Sequence, residues 1–306
     1  MNRQPVDAAL LSRSVVALPP LARGAEARPD LEQNRRIAAY IESGGIRVLL
    51  YGTQALVPHV RPTEYGALLD LLEAAAGPET TVIPAIGPTH GLLLEQAEVL
   101  RGRDFPTAQL LPCPDMGSAG AVERAVGEAV AALGKPVVLT VTEPGPLTPP
   151  VVGRLAERGL VSFVIYDVER DDPAEDPLLR ELVQTVDPRL VVSGRGEAVA
   201  VVHLREFGLG SFASGCAAVA SRLSQSLLEA IRAGEWVEAG ELRGLFRKLE
   251  DLRRKLDPVA VLHEAIGFAG IADMGPLPPV LTPVNERYLS RVREAAQSLH
   301  AEEIAD

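Results

Sequence analysis

The sequence is nearly without lysine: among its 30 basic residues only Lys135, Lys248 and Lys255 are lysines, and the rest are arginines. An amine that forms an imine with a carbonyl must be presented at the reacting centre, so three positions bound every lysine-based mechanism open to the chain. Cysteine is as scarce. Cys113 and Cys216 are too few for a disulfide scaffold and have no paired zinc-ligand spacing, so both are expected as reduced thiols. A basic excess is missing too, with 30 Lys and Arg against 41 Asp and Glu and a net charge of −11. That balance argues against a nucleic-acid partner, which needs a positive face. No apolar run approaches the roughly 18 to 20 residues of a spanning helix, and no export-length apolar segment follows Met1 to Pro5. The expectation is a cytoplasmic protein with no membrane partner. Aromatics make up 4% of the chain but hydrophobic residues 47%, so a large and mainly aliphatic core is expected.

Eight short runs rich in β-branched residues and leucine recur along the chain: 14–18, 47–52, 81–87, 108–111, 136–140, 162–167, 189–194 and 210–215. Each is too short for a helix and ends at Gly, Pro or a small polar residue. Helical periodicity fills the intervals, as at Tyr65, Leu68, Leu69 and Leu72 before the stop signal Gly77-Pro78, or after the cap-like Thr148-Pro149-Pro150. Eight strand–helix units predict an α/β fold, a (β/α)8 TIM barrel over 1–232, with an open doubly wound sheet as the alternative. Beyond it, Leu242, Leu245, Leu249, Leu252 and Leu256 keep helical spacing up to Asp257-Pro258, and a last helix follows Pro283. A helical extension over 233–306, packed on the barrel as part of one unit, is expected.

In such a barrel the site is built from loops after the carboxyl ends of the strands. Those positions hold Thr53, Gln54 and His59 after the second run, Thr89 and His90 after the third, and Cys113 and Asp115 after the fourth. Thr140, Thr142 and Glu143 follow the fifth, Tyr166 and Asp167 end the sixth, Gly194 and Arg195 follow the seventh, and Gly215 ends the eighth. Tyr166, Thr140, Glu143 and Asp167 are the catalytic candidates. Ala17, Thr53, Gln54, Cys113, Gly194, Arg195 and Phe212 are the candidates for binding a substrate. No His-x-His or His-Glu-x-x-His spacing joins His59 and His90 to a carboxylate, so neither a metal nor a cofactor is expected. Gly-Arg-Gly at 194–196 is compatible with phosphate but equally with a tight turn.

The stretch Leu49-Leu50-Tyr51-Gly52-Thr53-Gln54, followed by Arg61-Pro62-Thr63-Glu64-Tyr65, resembles a strand, loop and helix start of the dihydrodipicolinate synthase and N-acetylneuraminate lyase family. Val15 to Pro20 resembles the first strand of that family, Ile83 to Gly87 its third and Lys135 to Leu139 its fifth, and Ser193-Gly194, Gly210 to Gly215 and Pro276 to Pro279 are similar to its later landmarks. The resemblance implies a TIM barrel with a helical appendage, a homo-oligomer (dimer or tetramer), and a lysine on the sixth strand that forms a Schiff base with a 2-oxo acid. Tyr166 falls where that lysine is expected, and a phenol forms no imine. Thr140 stands for a family tyrosine, Gln54 and Leu56 for a threonine and a glutamate, Cys113 follows Pro112 in place of a tyrosine, and no arginine lies near 143–147.

Three functional readings follow. The protein is a divergent member that binds a small metabolite or carries altered lyase chemistry on a small oxo acid. It is a non-catalytic regulatory or structural barrel. Or it is a genuine dihydrodipicolinate synthase-like lyase. A mouth filled by Tyr166 against Gln54 and Phe212 would oppose catalysis; Glu143 and Asp167 converging near Arg195 would favour it.

Overall fold

Eight strands hydrogen-bond in sequence order, all parallel, and the first closes on the last, in the computed structural model, which describes residues 1–113 and 117–305. They are β1 (Val16–Ala17), β2 (Val48–Tyr51), β3 (Thr81–Ile86), β4 (Gln109–Leu110), β5 (Val137–Val141), β6 (Val161–Tyr166), β7 (Val191–Ser193) and β8 (Ser211–Ser214). Each falls on one of the eight expected runs, and the closed order makes this a TIM barrel rather than an open sheet. The helices in chain order are α1 (Ala8–Arg13), α2 (Leu31–Ser43), α3 (Pro62–Ala75), α4 (His90–Arg101), α5 (Ala119–Leu133) and α6 (Pro149–Glu157). They continue with α7 (Pro177–Thr185), α8 (Glu197–Phe207), α9 (Ser221–Ala233), α10 (Trp236–Lys255), α11 (Pro258–Phe268) and α12 (Glu286–Ile304).

Two apolar layers hold the barrel. Val16, Val48, Leu50, Ile83, Val138, Phe163, Ile165, Val192 and Ala213 fill its interior, and Val6 and Leu11 join them from the N-terminal segment and α1. Buried side chains of this kind contribute about 1.5–3 kcal/mol each. The residues between, such as Ala17, Tyr51, Val164, Tyr166, Val191 and Phe212, belong to the layer between strands and helices. Strands buried on both faces read as continuous apolar runs, which is how these eight read in the sequence.

Helix ends follow local chemistry. Asp7, Asp30, Ser118 and Asp176 each accept a backbone N–H of the first turn of α1, α2, α5 and α7, and Asp257 accepts two at α11. Thr148 takes the cap position of α6 without a side-chain cap bond, so the two prolines that follow define that start. Helices α9, α11 and α12 pack on α10, which itself lies against α8 of the barrel. Among the described residues, no helix is long and apolar enough to cross a membrane.

Candidate active site

The register fixes which side chains face the barrel axis. In parallel strands paired residues point to the same side, so Val138, paired with Phe163 and Gln109, and Thr140, paired with Ile165, lie on the inner face. Ile165 pairs in turn with Val192, and Val192 with Ser211. Gln109 Nε2 donates to Thr140 Oγ1 at 3.0 Å across the interior. Beyond Ile165, the next inner position of the sixth strand is Asp167. The inner side of β6 therefore ends in an isoleucine and a carboxylate.

Above this layer opens a cavity of about 460 Å3, lined by Leu18, Gln54, Asp167, Gly194, Arg195 and Ala213 from the barrel, and by Glu250, Arg253 and Arg254 from α10. None of the three lysines lines it. Lys135 donates to the carbonyls of Arg103 and Phe105 just before β5, and Lys248 and Lys255 are exposed on α10. Three of the cavity's arginines lie beside carboxylates. Arg195 lies 3.3 Å from Asp167 and 2.8 Å from Glu169, and Arg254 lies 2.6 Å from Asp251. Arg170 meets Glu143 at 2.5 Å and Asp176 at 3.2 Å. Burial raises the Asp167 carboxyl above the ordinary range, and Arg195 opposes that shift.

Arg253 differs. It donates to the Pro258 carbonyl at 3.2 Å and to Cys216 Sγ at 3.5 Å, and no carboxylate of the described residues lies within ion-pair distance. Burial holds the Cys216 thiol neutral by pushing its pKa up, so the sulfur is a weak acceptor. The guanidinium is seated over Gly215, where an added Cβ would come within 2.5 Å of Nη2.

Beside it lies a buried carboxyl pair that joins α10 to α8. Glu197, fully buried, accepts from Ser214 Oγ at 2.5 Å and from Ser224 Oγ at 2.6 Å through Oε1, while its Oε2 is buried without a partner. Glu250 accepts the Ala198 N–H at 3.2 Å. Burial, and then the charge of Glu197, push the Glu250 carboxyl up to about 8. A proton on Glu250, favoured by that shift, would give the pair a donor beside the orphan oxygen. Gly196, at φ 69° and with room for a Cβ only 2.4 Å from Glu250 Oε1, can be no other residue without moving this pair.

A second network stands on the outer side of β6. Tyr166 donates to Asp176 Oδ2 at 2.6 Å and packs edge-on against the His203 ring, 6.1 Å away. His203 Nδ1 lies 2.8 Å from Ser193 Oγ, and burial lowers the imidazole to about 4, so it is neutral near pH 7. Asp176 thus ties together a strand tyrosine, the start of α7 and Arg170 of the cavity wall.

Against the sequence expectations, Gln54, Asp167, Gly194 and Arg195 line the cavity. Tyr166, Ala17 and Phe212 do not: strand alternation turns them to the helix layer, and Leu18, Ile165 and Ala213 face the interior in their place. Tyr166 thus faces the helices, and the inner residue at that level of the sixth strand is Ile165. Thr53 is exposed outside the cavity lining. Thr140 is buried on Gln109 and, with Cys113 and Thr142, borders a separate void of about 40 Å3. Glu143 is exposed and paired to Arg170, so it does not converge with Asp167 on Arg195. The mouth is not filled by Tyr166 against Gln54 and Phe212. His90 pairs with Glu128 at 3.0 Å on the helix surface. Asp115 lies outside the described residues.

Glu197, His203, Glu250, Arg253 and Arg254 were not anticipated from sequence. The one available signal was the spacing of Glu250, Arg253 and Arg254 on a single helical face, a pattern that reads equally as solvated surface. Among the described residues, no group of three or more His, Cys, Asp or Glu is placed to hold a metal ion.

No protein-family model matches the chain, and no curated protein matches it. Solved structures do. Dihydrodipicolinate synthase from Bacillus clausii superposes with a TM-score of 0.84 at 18% identity, over 95% of this chain and 98% of that one. The corresponding enzyme from Oceanobacillus iheyensis gives 0.84 at 17% identity over 96% and 99%. Ruminococcus gnavus sialic acid aldolase gives 0.83 at 14% identity over 96% and 98%, and a form of it mutated at its catalytic lysine also matches, at 0.83. The chain, barrel and C-terminal helices together, has the fold of the dihydrodipicolinate synthase and sialic acid aldolase structures.

Proposed function

We propose that this protein is a divergent member of the dihydrodipicolinate synthase and N-acetylneuraminate lyase family that binds a small metabolite reversibly in its barrel mouth and forms no imine with it. One observation carries the reading: the mouth is a cavity of about 460 Å3 whose wall holds arginines, carboxylates and Gln54 but no lysine. A cavity of this size suits a small organic molecule. A carbinolamine forms only where nitrogen meets carbonyl carbon, and the inner residues at the end of the sixth strand are Ile165 and Asp167. Arginine does not replace the missing amine, since its guanidinium stays protonated. Self-association into a dimer or tetramer and a cytoplasmic location form part of the same proposal.

Treatment with pyruvate and borohydride, followed by intact-mass measurement, is expected to leave the mass unchanged. A pyruvate-sized adduct that peptide mapping assigns to Lys135, Lys248 or Lys255 overturns the reading. A second reading, altered acid–base chemistry on an oxo acid, is favoured by Glu250 and Asp167, two raised carboxyls in one cavity wall. Turnover of a 2-oxo acid, followed by proton NMR and lost in Asp167→Asn with binding retained, would select it.

A further inference from the structure

Glu250 and Arg253 stand one turn apart on α10, a spacing at which opposite charges on a helix meet, yet they form no ion pair. Glu250 accepts the Ala198 N–H and turns to Glu197 of α8. The Arg253 guanidinium reaches the Pro258 carbonyl and Cys216 Sγ and covers Gly215. Both side chains line the barrel mouth, and Cys216, beside the guanidinium, is fully buried.

This arrangement suits a protonated Glu250. Glu197 takes two hydroxyls on one oxygen and has no donor on the other, so a second charge beside it finds nothing in the pair to offset it. The other cations of the wall are committed, Arg195 to Asp167 and Glu169, Arg254 to Asp251, and Arg170 to Glu143 and Asp176. Of the charged groups that act on the Glu250 carboxyl, Glu197 pushes it up and Arg253 draws it down. Cys216 beyond β8 and His203 of α8 are both neutral near pH 7. Arg253 holds one uncharged carbonyl and a thiol, which is a weak acceptor, whereas an ionised carboxylate takes two guanidinium N–H groups at once.

We infer that Arg253 is a proton-operated gate on the barrel mouth: loss of the Glu250 proton draws the guanidinium off Gly215 and Cys216 and onto the Glu250 carboxylate. The O–H bond of Glu250 breaks, its proton leaves to solvent through the cavity, and the mouth exchanges a free cation for an internal ion pair. Because burial and Glu197 raise this carboxyl to about 8, the gate is closed near neutral pH and opens under mildly alkaline conditions. It belongs to the chain alone and operates whatever the mouth binds.

Cys216 is the reporter. In a Cys113→Ser background it is the one remaining thiol. Its labelling by iodoacetamide is followed by peptide mass at pH 6.5 and pH 9, in the otherwise wild-type chain, in Glu250→Gln and in Arg253→Gln. Circular dichroism and the melting temperature establish that each is folded. The wild type is expected to match Glu250→Gln at pH 6.5 and to label about tenfold faster or more at pH 9. Thiol ionisation works in the other direction, because the Glu250 charge hinders it. Arg253→Gln is expected to label about tenfold faster than the wild type already at pH 6.5, although it loses the cation that favours the thiolate. Amide hydrogen exchange across 236–255 at pH 9 is expected to agree within about twofold between the wild type and Glu250→Gln, a comparison that needs no change at Arg253.

Equal labelling of the wild type and Glu250→Gln at pH 9 overturns the inference. So does an Arg253→Gln chain that labels as slowly as the wild type at pH 6.5. Faster amide exchange along α10 in the wild type at pH 9 overturns it in favour of a helix that detaches as a whole.

Discussion

Glu250→Gln should make the protein more stable at pH 8 than the wild type, and the difference should vanish near pH 4. The Glu250 carboxyl ordinarily ionises near 4.5 but is raised to about 8 in the folded chain. Between those values the native state keeps a proton that the unfolded state has released. The wild type therefore loses stability as pH rises through that window and levels off above it. Glutamine reproduces the protonated form, with an oxygen for the Ala198 N–H and an N–H for Glu197 Oε2, and it does not ionise. The expected gain at pH 8 is on the order of 3 to 5 kcal/mol, seen as a melting temperature higher by roughly 5 °C or more. Thermal melts of both proteins from pH 4 to 8.5 decide the matter. Parallel curves would mean that the two carboxyls do not share a proton.

Asp176→Ala should have the opposite effect and an equally large one. Its carboxylate is buried, caps α7 through the Leu179 N–H at 3.1 Å, accepts the Tyr166 hydroxyl and faces Arg170. Removing it takes away a cap and leaves a buried phenol without its acceptor, so a loss of about 3–5 kcal/mol in urea unfolding is expected. Asp176→Asn, which retains the cap acceptor but not the charge, should lose about half as much. Adding Tyr166→Phe to Asp176→Ala should restore part of the loss, since no orphan hydroxyl remains. A cost below about 1 kcal/mol for Asp176→Ala would show that the network is decorative. The same variant frees the segment that bears Glu169 and Arg170, so the cavity wall should loosen along with the fold.

The architecture was legible because it repeats: eight apolar runs, each closed by a turn residue, announce eight units even though β1 and β4 are only two residues long. Direction within a strand was not legible. Ser162 to Asp167 contains apolar residues on both faces, so nothing local tells whether Ile165 or Tyr166 faces the axis. Only the register with β5 and β7 decides it. The same ambiguity sent Ala17 and Phe212 to the wrong layer, whereas Gln54, Gly194 and Arg195 lie past strand ends, where position alone suffices. The contribution of α10 was hidden for another reason. Its return over the barrel mouth is a contact between distant parts of the chain, and its own pattern of leucines and charges is that of any amphipathic helix.

The absent side chain at residue 215 works as a steric dial. Because the guanidinium of Arg253 occupies the volume that a Cβ would take, one added methyl at this backbone position would push the cation away from the strand end without altering a single charge or polar group. The shape of the cavity wall is therefore set in part by a lining residue that has no side chain of its own.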